Sequence, residues 1–387
     1  MNYLWNVIVR EFKQIFARPL YIFSSVVMMT ICVIFFTTLM QSGSPQKMPV
    51  AVVDHDQSSI SRRFVHEMQA TQSVNIVAVV PSHAEARNMM QHGEIYGFLE
   101  LPDNFYADLV SQRRPKIAFY TTQAYTVGGT TAYKQMLTMV NLASGAYQRE
   151  ILRMKGMSES QIMNIIQPIV LESHLIANPW SNYPVYLLST VIPGILGVII
   201  VMITVFSIGF ELKTSTSPQW LKTANDNFAI AIIGKMLPYT LLFLIMGIGC
   251  NVLLFRFLHF PVMGSHWGLA LNMINFVIAE QCLAVFFIGL LPTLRDAISL
   301  GALYSMLSFS LSGFTYPKMG MLPFVQALTN IFPLRHYYLN YVNEALMGAS
   351  FTQSIPQYAA YLIFMLLPFF IFKRLHGAMV NLNFPKK

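Results

Sequence analysis

Apolar residues gather in six uninterrupted stretches, separated by polar segments of very unequal length. The stretches run Pro19 to Met40, Val185 to Gly209, Phe228 to Phe255, Gly268 to Leu291, Ala297 to Thr315 and, roughly, Gln357 to Phe372. A helix needs about 20 apolar residues to cross a hydrocarbon core, so the pattern predicts an α-helical polytopic membrane protein with six transmembrane helices. The first stretch, within residues 19–40, exceeds the roughly 7–15-residue apolar region of a secretory signal, and no Ala-x-Ala site follows it. It is read as a retained span.

Ahead of it, Leu4, Trp5, Ile8, Phe12, Ile15 and Phe16 recur at helical spacing, while Arg10, Glu11, Lys13 and Gln14 fill the other side. Residues 1–18 are therefore predicted as a helix lying flat in the interface, its basic residues toward anionic headgroups of the membrane lipids. Arg18-Pro19 then turns the chain into the bilayer.

Residues 41–183 carry a different pattern. Pro49 to Val53 is a short continuous apolar run of the kind found in a strand buried on both faces. Asp56 precedes a capped helix over Ser58 to Ala70. Further strands are expected at Val74 to Val80, Tyr96 to Leu101 and Lys116 to Thr121, with helices at Ser82 to His92 and Asp103 to Gln112 between them. The alternation predicts an inserted α/β domain with a mainly parallel sheet. Helical patterning from Gly129 to Lys155 and after Ser158 adds longer helices, and Trp180, Tyr183 and Tyr186 stand where an aromatic belt belongs.

Residues 184–387 hold the remaining spans and two informative connections. In the loop 211–227, Ser217 is a good N-cap and Pro218 a good first helical residue, so a short helix is expected with Trp220 and Leu221 exposed on it. After the fifth stretch, Gly313 to Pro317 ends the apolar run without a charge, and residues 317–340 are amphipathic and punctuated by Pro323 and Pro333. That predicts paired re-entrant helices, tolerated at such depth only where protein or water covers the backbone.

Composition agrees and adds sidedness. Of 387 residues 55% are hydrophobic and 11% charged, under half the share of about 25% in a soluble domain. Twenty-two of the charged residues fall between Lys47 and Glu172, evenly split between acid and base. The short segments on the N-terminal side hold Arg10, Lys13, Arg18, Lys213, Lys222, Lys235, Arg295, Lys373, Arg374, Lys386 and Lys387 against Glu11, Glu211, Asp226 and Asp296. By the positive-inside rule both termini are cytoplasmic and the 41–183 domain is extracytoplasmic. This basic excess reports topology, so no nucleic-acid partner is implied.

Candidate chemistry is sparse. Cys32, Cys250 and Cys282 all lie in spans and build neither a disulfide framework nor a zinc site. No phosphate-binding loop is present: Gly234-Lys235 is followed by Met, and Lys213-Thr214 lacks the preceding glycines. Asp54-His55-Asp56, with His66, suits turn and cap hydrogen bonds better than a metal. No cofactor is expected. Asn272, Asn275, Glu280 and Gln281 put polar groups inside one span, where they face a bundle interior or a wet cavity; a structural hydrogen bond from Glu280 to Ser305 or Ser308 is the alternative. Arg335 and His336 sit at the outer interface.

Four stretches together resemble the permease subunits of type-2 ABC exporters, in particular the bacterial multidrug or efflux group with a large extracytoplasmic domain between the first two spans. They are Arg10-Glu11-Phe12-Lys13; Val50 to Asp54 with Asp56, Ser58, Ser61 and Arg62; Gly234-Lys235-Met236-Leu237-Pro238-Tyr239; and Gly313 to Pro317 with Met321, Pro323, Gln326 and Pro333-Leu334-Arg335. The loop reads Phe210-Glu211-Leu212-Lys213-Thr214-Ser215 where the family commonly has an Arg-Glu pair and a Gly-Thr step, and Leu322 separates Met321 from Pro323. The resemblance implies a non-catalytic subunit in the bacterial inner membrane. It would pair with an identical or paralogous permease and two separate ABC ATPase subunits, with a periplasmic adaptor as a further partner. Trp5, Phe12, Lys13, Glu211, Lys213, Trp220 and Leu221 would couple to the ATPase. Asn272, Asn275, Glu280 and Gln281 would line the path, and Gly313, Pro317, Pro323, Pro333 and Arg335 would form an outer gate. On this reading Trp220→Ala uncouples transport while leaving folding largely intact. The competing readings are a receptor or scaffold using the extracytoplasmic domain, and an ion-coupled transporter with Glu280 titrating; no inverted repeat supports the latter.

Overall fold

The computed structural model describes residues 2–43, 45–70 and 74–382. Met1, Lys386 and Lys387 of the readings above lie outside the described residues. The chain divides into two compact units, Ser42–His174 and Met1–Gln41 with Leu175–Lys387.

The smaller unit is built on a four-stranded sheet, β1 (Met48–Asp54), β2 (Val74–Val80), β3 (Gly97–Leu101) and β4 (Ala118–Thr121), in the order β2-β1-β3-β4. β1 pairs in parallel with β2 and β3, and β4 closes the edge antiparallel to β3. The central strand is buried on both faces because Val50 and Val52 join a core with Phe64, Met68, Leu99 and Met136, while Ala51 and Val53 join one with Ala86, Ile95 and Phe98.

Ser58 caps the helix Ser59–Gln69 by accepting from Ser61 N at 3.1 Å. Asp54 Oδ1 accepts from the amides of Asp56 and Gln57, and its Oδ2 takes the Ser61 hydroxyl at 2.7 Å. The Asp-His-Asp run thus serves the strand-to-helix turn. Ser82 caps His83–Gln91, a short helix covers Phe105–Val110, and two longer pieces follow at Thr126–Met154 and Glu159–Ile166.

The larger unit is helical. We number its elements α1 (Asn2–Ala17), α2 (Pro19–Leu39), α3 (Tyr183–Lys213), α4 (Ser217–Thr223), α5 (Phe228–Phe257), α6 (His266–Leu290), α7 (Leu294–Leu311), α8 (Pro323–Leu328), α9 (Pro333–Asn340) and α10 (Phe351–Asn381). Five of these, α2, α3, α5, α6 and α10, are long and apolar enough to cross a membrane. The predicted fifth span, α7, is an 18-residue helix whose first turn holds Arg295 and Asp296 and whose body carries four serines, which lowers its apolarity below that of the others. Within the bundle α6 packs against α3 and α10, and α7 lies along α3. Gly197 and Gly301 let helices approach closely: a Cβ on Gly301 would sit 2.9 Å from Val201 of α3. Such small residues are how apolar helices gain close packing in lipid.

Candidate functional site

Three sequence-distant helix segments meet at a buried ion cluster. The edge of α1 formed by Val7, Glu11 and Ile15, at four-residue spacing, is its buried face. It seats against α5 where Gly234 leaves room, since a Cβ there would lie 2.9 Å from Val7. Glu11 is thereby carried inside, opposite Lys235 one residue past that glycine. Lys235 Nζ is 2.8 Å from Glu11 Oε2 and 3.2 Å from Glu211 Oε1, at the end of α3. Arg10 completes the network, 2.6 Å from Glu11 and 2.8 Å from Glu211. Gln14 donates to Glu211 Oε1 at 3.2 Å, and the Thr216 hydroxyl donates to Glu211 Oε2.

The set is two cations and two carboxylates, so it is neutral, and Lys235, Glu11 and Glu211 are within 3% of complete burial. Taking charges out of water costs several kcal/mol per ion, and only mutual pairing offsets it. Every member therefore depends on the others.

The loop helix α4 is locked onto the same cluster. Thr216 rather than Ser217 is its N-cap residue, so the helix starts as expected but with its cap one residue earlier. The Ser217 hydroxyl is used elsewhere, donating to Met379 O of α10 at 2.9 Å. Trp220 and Leu221 are buried, at 0% and 3% exposure, where the sequence predicts an exposed pair. The reason is a tertiary pocket: the indole N–H donates to Ala231 O at 3.3 Å, and Lys235 Nζ stands 4.8 Å from the ring centroid. That arrangement is a cation–π contact. The exposed residues of the loop are Lys213, Thr214, Ser215, Gln219, Lys222, Asn225, Asp226 and Asn227.

Of the other residues expected at this site, Trp5 and Lys13 are exposed and Phe12 is half-buried. In the sequence, Arg10 and Glu11 read as part of the polar side of the interfacial helix, and Lys235 as part of the charge count and a family motif. Their joint burial had no local signal, because each sits in a different segment.

The polar residues predicted on α6 do not converge. Asn272 is a structural knot: its Oδ1 accepts from Asn340 Nδ2 at 3.1 Å and from the Tyr361 hydroxyl at 2.9 Å, while its Nδ2 donates to Tyr337 O at 3.0 Å. Asn275 donates back to Leu271 O on its own helix. Gln281 accepts from the Thr240 hydroxyl at 2.6 Å. Glu280 is buried beside Gly197 of α3, and the alternative reading, a bond to Ser305 or Ser308, is not formed among the described residues, the Ser308 hydroxyl being without a partner there. An apolar groove of about 410 Å³ lies instead between α2 and α3, lined by Leu20, Met28, Cys32, Val198, Met202 and Phe206 among others.

In the segment after α7, Gly313 takes a positive φ of 95°, and Arg335 packs against it, donating from Nη1 to Ser312 O at 3.2 Å. The Tyr186 hydroxyl donates to Phe314 O nearby. Pro323 and Pro333 open α8 and α9, where a missing amide costs nothing. Pro323 and Pro317 are exposed, and Pro333 is buried.

A bundle of long apolar helices carrying a separate α/β unit, and with an ion-clamped loop helix at one end, defines a multi-pass membrane protein. Residues 19–372 match the family described as ABC-2 family transporter protein, and the chain belongs to that family, the membrane component of ABC transporters. No curated protein matches it.

Proposed function

We propose that this chain is the permease subunit of an ATP-driven exporter, worked by a separate ATPase that binds the face carrying α1 and α4. Six spans, α2, α3, α5, α6, α7 and α10, cross the bacterial inner membrane, with both termini inside and the α/β unit outside. Two such permeases, identical or paralogous, assemble with two ATPases and alternate between inward- and outward-open states, and a periplasmic adaptor is a further candidate partner for the α/β unit.

The observation that carries this reading is the Arg10–Glu11–Lys235–Glu211 cluster, which fastens α1, the end of α3 and the start of α5 into one block beneath α4. Moving a two-state equilibrium from 1:99 to 99:1 takes about 5.5 kcal/mol of differential binding. A loose loop would dissipate that work, whereas a block whose buried charges cannot separate without being left unpaired transmits it to α3 and α5 together and, through α1, to α2. Trp220 is accordingly the anchor of the loop helix inside the permease. The surface offered to an ATPase is the exposed set Lys213, Gln219 and Lys222 with Lys13 of α1.

The test is reconstitution with a candidate ABC ATPase subunit. Lys222→Glu is expected to weaken ATPase co-purification severalfold with the permease still folded. Lys235→Met, which leaves two buried carboxylates to share Arg10 alone and breaks a buried ion network at a cost of about 3–5 kcal/mol, is expected to lower thermal stability as well. Cargo movement by the chain alone, or indifference of co-purification to Lys222→Glu and Lys13→Glu together, would overturn the proposal.

A further inference from the structure

The hairpin between α7 and α10 carries cationic groups that form no ion pair among the described residues. Arg335 is 94% buried, yet among the described residues it forms no ion pair, its Nε has no hydrogen-bond partner, and its Nη1 donates to the Ser312 carbonyl. Lys318 lies close enough to interact electrostatically with both Arg335 and His336, and it too has no acidic partner among the described residues. The buried His336 adds an unpartnered Nδ1, its Nε2 being held by Asn330 O at 3.0 Å.

The place for the guanidinium is shaped by Gly313, where a Cβ would come within 2.8 Å of Arg335 Nη1. Contact with the carboxyl end of α7 supplies a fraction of a charge. That leaves the buried Nε donor without an acceptor among the described residues, and a buried donor without a partner carries a desolvation cost. Following Lys318 along the chain, Met319, Leu322 and Phe324 are the most exposed apolar side chains of the hairpin, at 96%, 74% and 76%. Charge and apolar surface are thus juxtaposed on one short segment.

We propose that Arg335 and Lys318 bind the phosphate or carboxylate headgroup of an anionic amphiphile, whose hydrocarbon chain lies along Met319, Leu322 and Phe324. Guanidinium geometry suits such oxyanions because two N–H groups can engage two oxygens. The shared chemistry is an acidic headgroup on an alkyl chain, and its source is either a bilayer lipid or a free amphiphile. The binding stands apart from the coupling scheme above, because it requires no ATPase.

The test uses the full chain in phosphatidylcholine nanodiscs, with radiolabelled dodecyl phosphate as probe and empty discs as reference. Saturable binding is expected, at least tenfold weaker in Arg335→Gln, severalfold weaker in Lys318→Gln, and intermediate in Arg335→Lys, which keeps the charge but not the two-pronged donor geometry. Dodecylphosphocholine, which carries a compensating cation, is expected to compete poorly. Displacement of the probe when phosphatidylglycerol is built into the disc assigns the site to bilayer lipid, and probe binding unaffected by that lipid assigns it to a free amphiphile; both support the shared chemistry. No binding above empty discs, or equal affinity in the wild type and Lys318→Gln, overturns the proposal. Because Lys318 is only half-buried and makes no hydrogen bond among the described residues, its variant remains informative should Arg335→Gln fail to fold.

Discussion

Trp220 shows how a side chain's role depends on what closes over it. Within its own helix it reads as a knob on a solvated loop, but Ala231 and Lys235 arrive from the next span and bury it completely. Trp220→Ala should therefore destabilise the chain by about 3–5 kcal/mol, the usual cost of emptying an aromatic site, visible as an earlier thermal transition in detergent. A variant as stable as the wild type would return the residue to a purely external role. Glu100 of the α/β unit makes a second residue-level case. His83 Nδ1 lies 3.0 Å from one carboxylate oxygen and His55 Nε2 3.1 Å from the other. The hydrogen bond from His83, helped by His55, holds this carboxyl below its usual range of about 4.5. A lowered carboxyl contributes stability that is fully present above its unfolded pKa and is lost as pH falls through its folded value. Hydrogen exchange of β3, followed from about pH 6 down to about pH 3.5, should show protection falling in the wild type and a flatter profile in Glu100→Gln.

At the level of elements, the contact that matters most is the crossing of α1 over α5 at Gly234. The helix was expected from its apolar spacing, and it forms over Asn2–Ala17. Its orientation differs from the simple amphipathic picture: the buried line is Val7, Glu11 and Ile15, while Trp5 and Phe16 are among its exposed residues. An acidic residue counted with the polar side is thus drawn inward, because Lys235 compensates it. Gly234→Leu should lever α1 away from α5 and loosen the ion cluster without touching any charge. The expected readout is faster proteolysis between α1 and α2 together with loss of ATP-dependent transport, and an unchanged digestion pattern would mean that the crossing bears no load. The α/β unit makes the opposite point, for its strands and helices lie within a few residues of where alternation and caps placed them. Ser58 and Ser82 each bind a backbone amide three residues on, and such local hydrogen bonds need no distant partner.

For the molecule as a whole, the proposed six-span arrangement with the α/β unit outside predicts one labelling pattern. With the three native cysteines replaced by serine, a cysteine at Gln219 should react with a membrane-impermeant maleimide only after the bilayer is opened, and one at Glu85 should react in intact cells. Reversed accessibility would invert the topology. The apolar stretches, the inserted domain, the basic bias of the connecting segments and the motifs shared with ABC-2 permeases were all readable along the chain, since each depends on runs or spacings of neighbouring residues. Burial of Trp220, the four-charge cluster and the isolation of Arg335 were not. They arise where α1, α3, α4 and α5 converge, or where Arg335 settles against Gly313, and the free energy of a buried charge is set by the partners that folding brings within 3 Å of it rather than by the residues beside it in the chain.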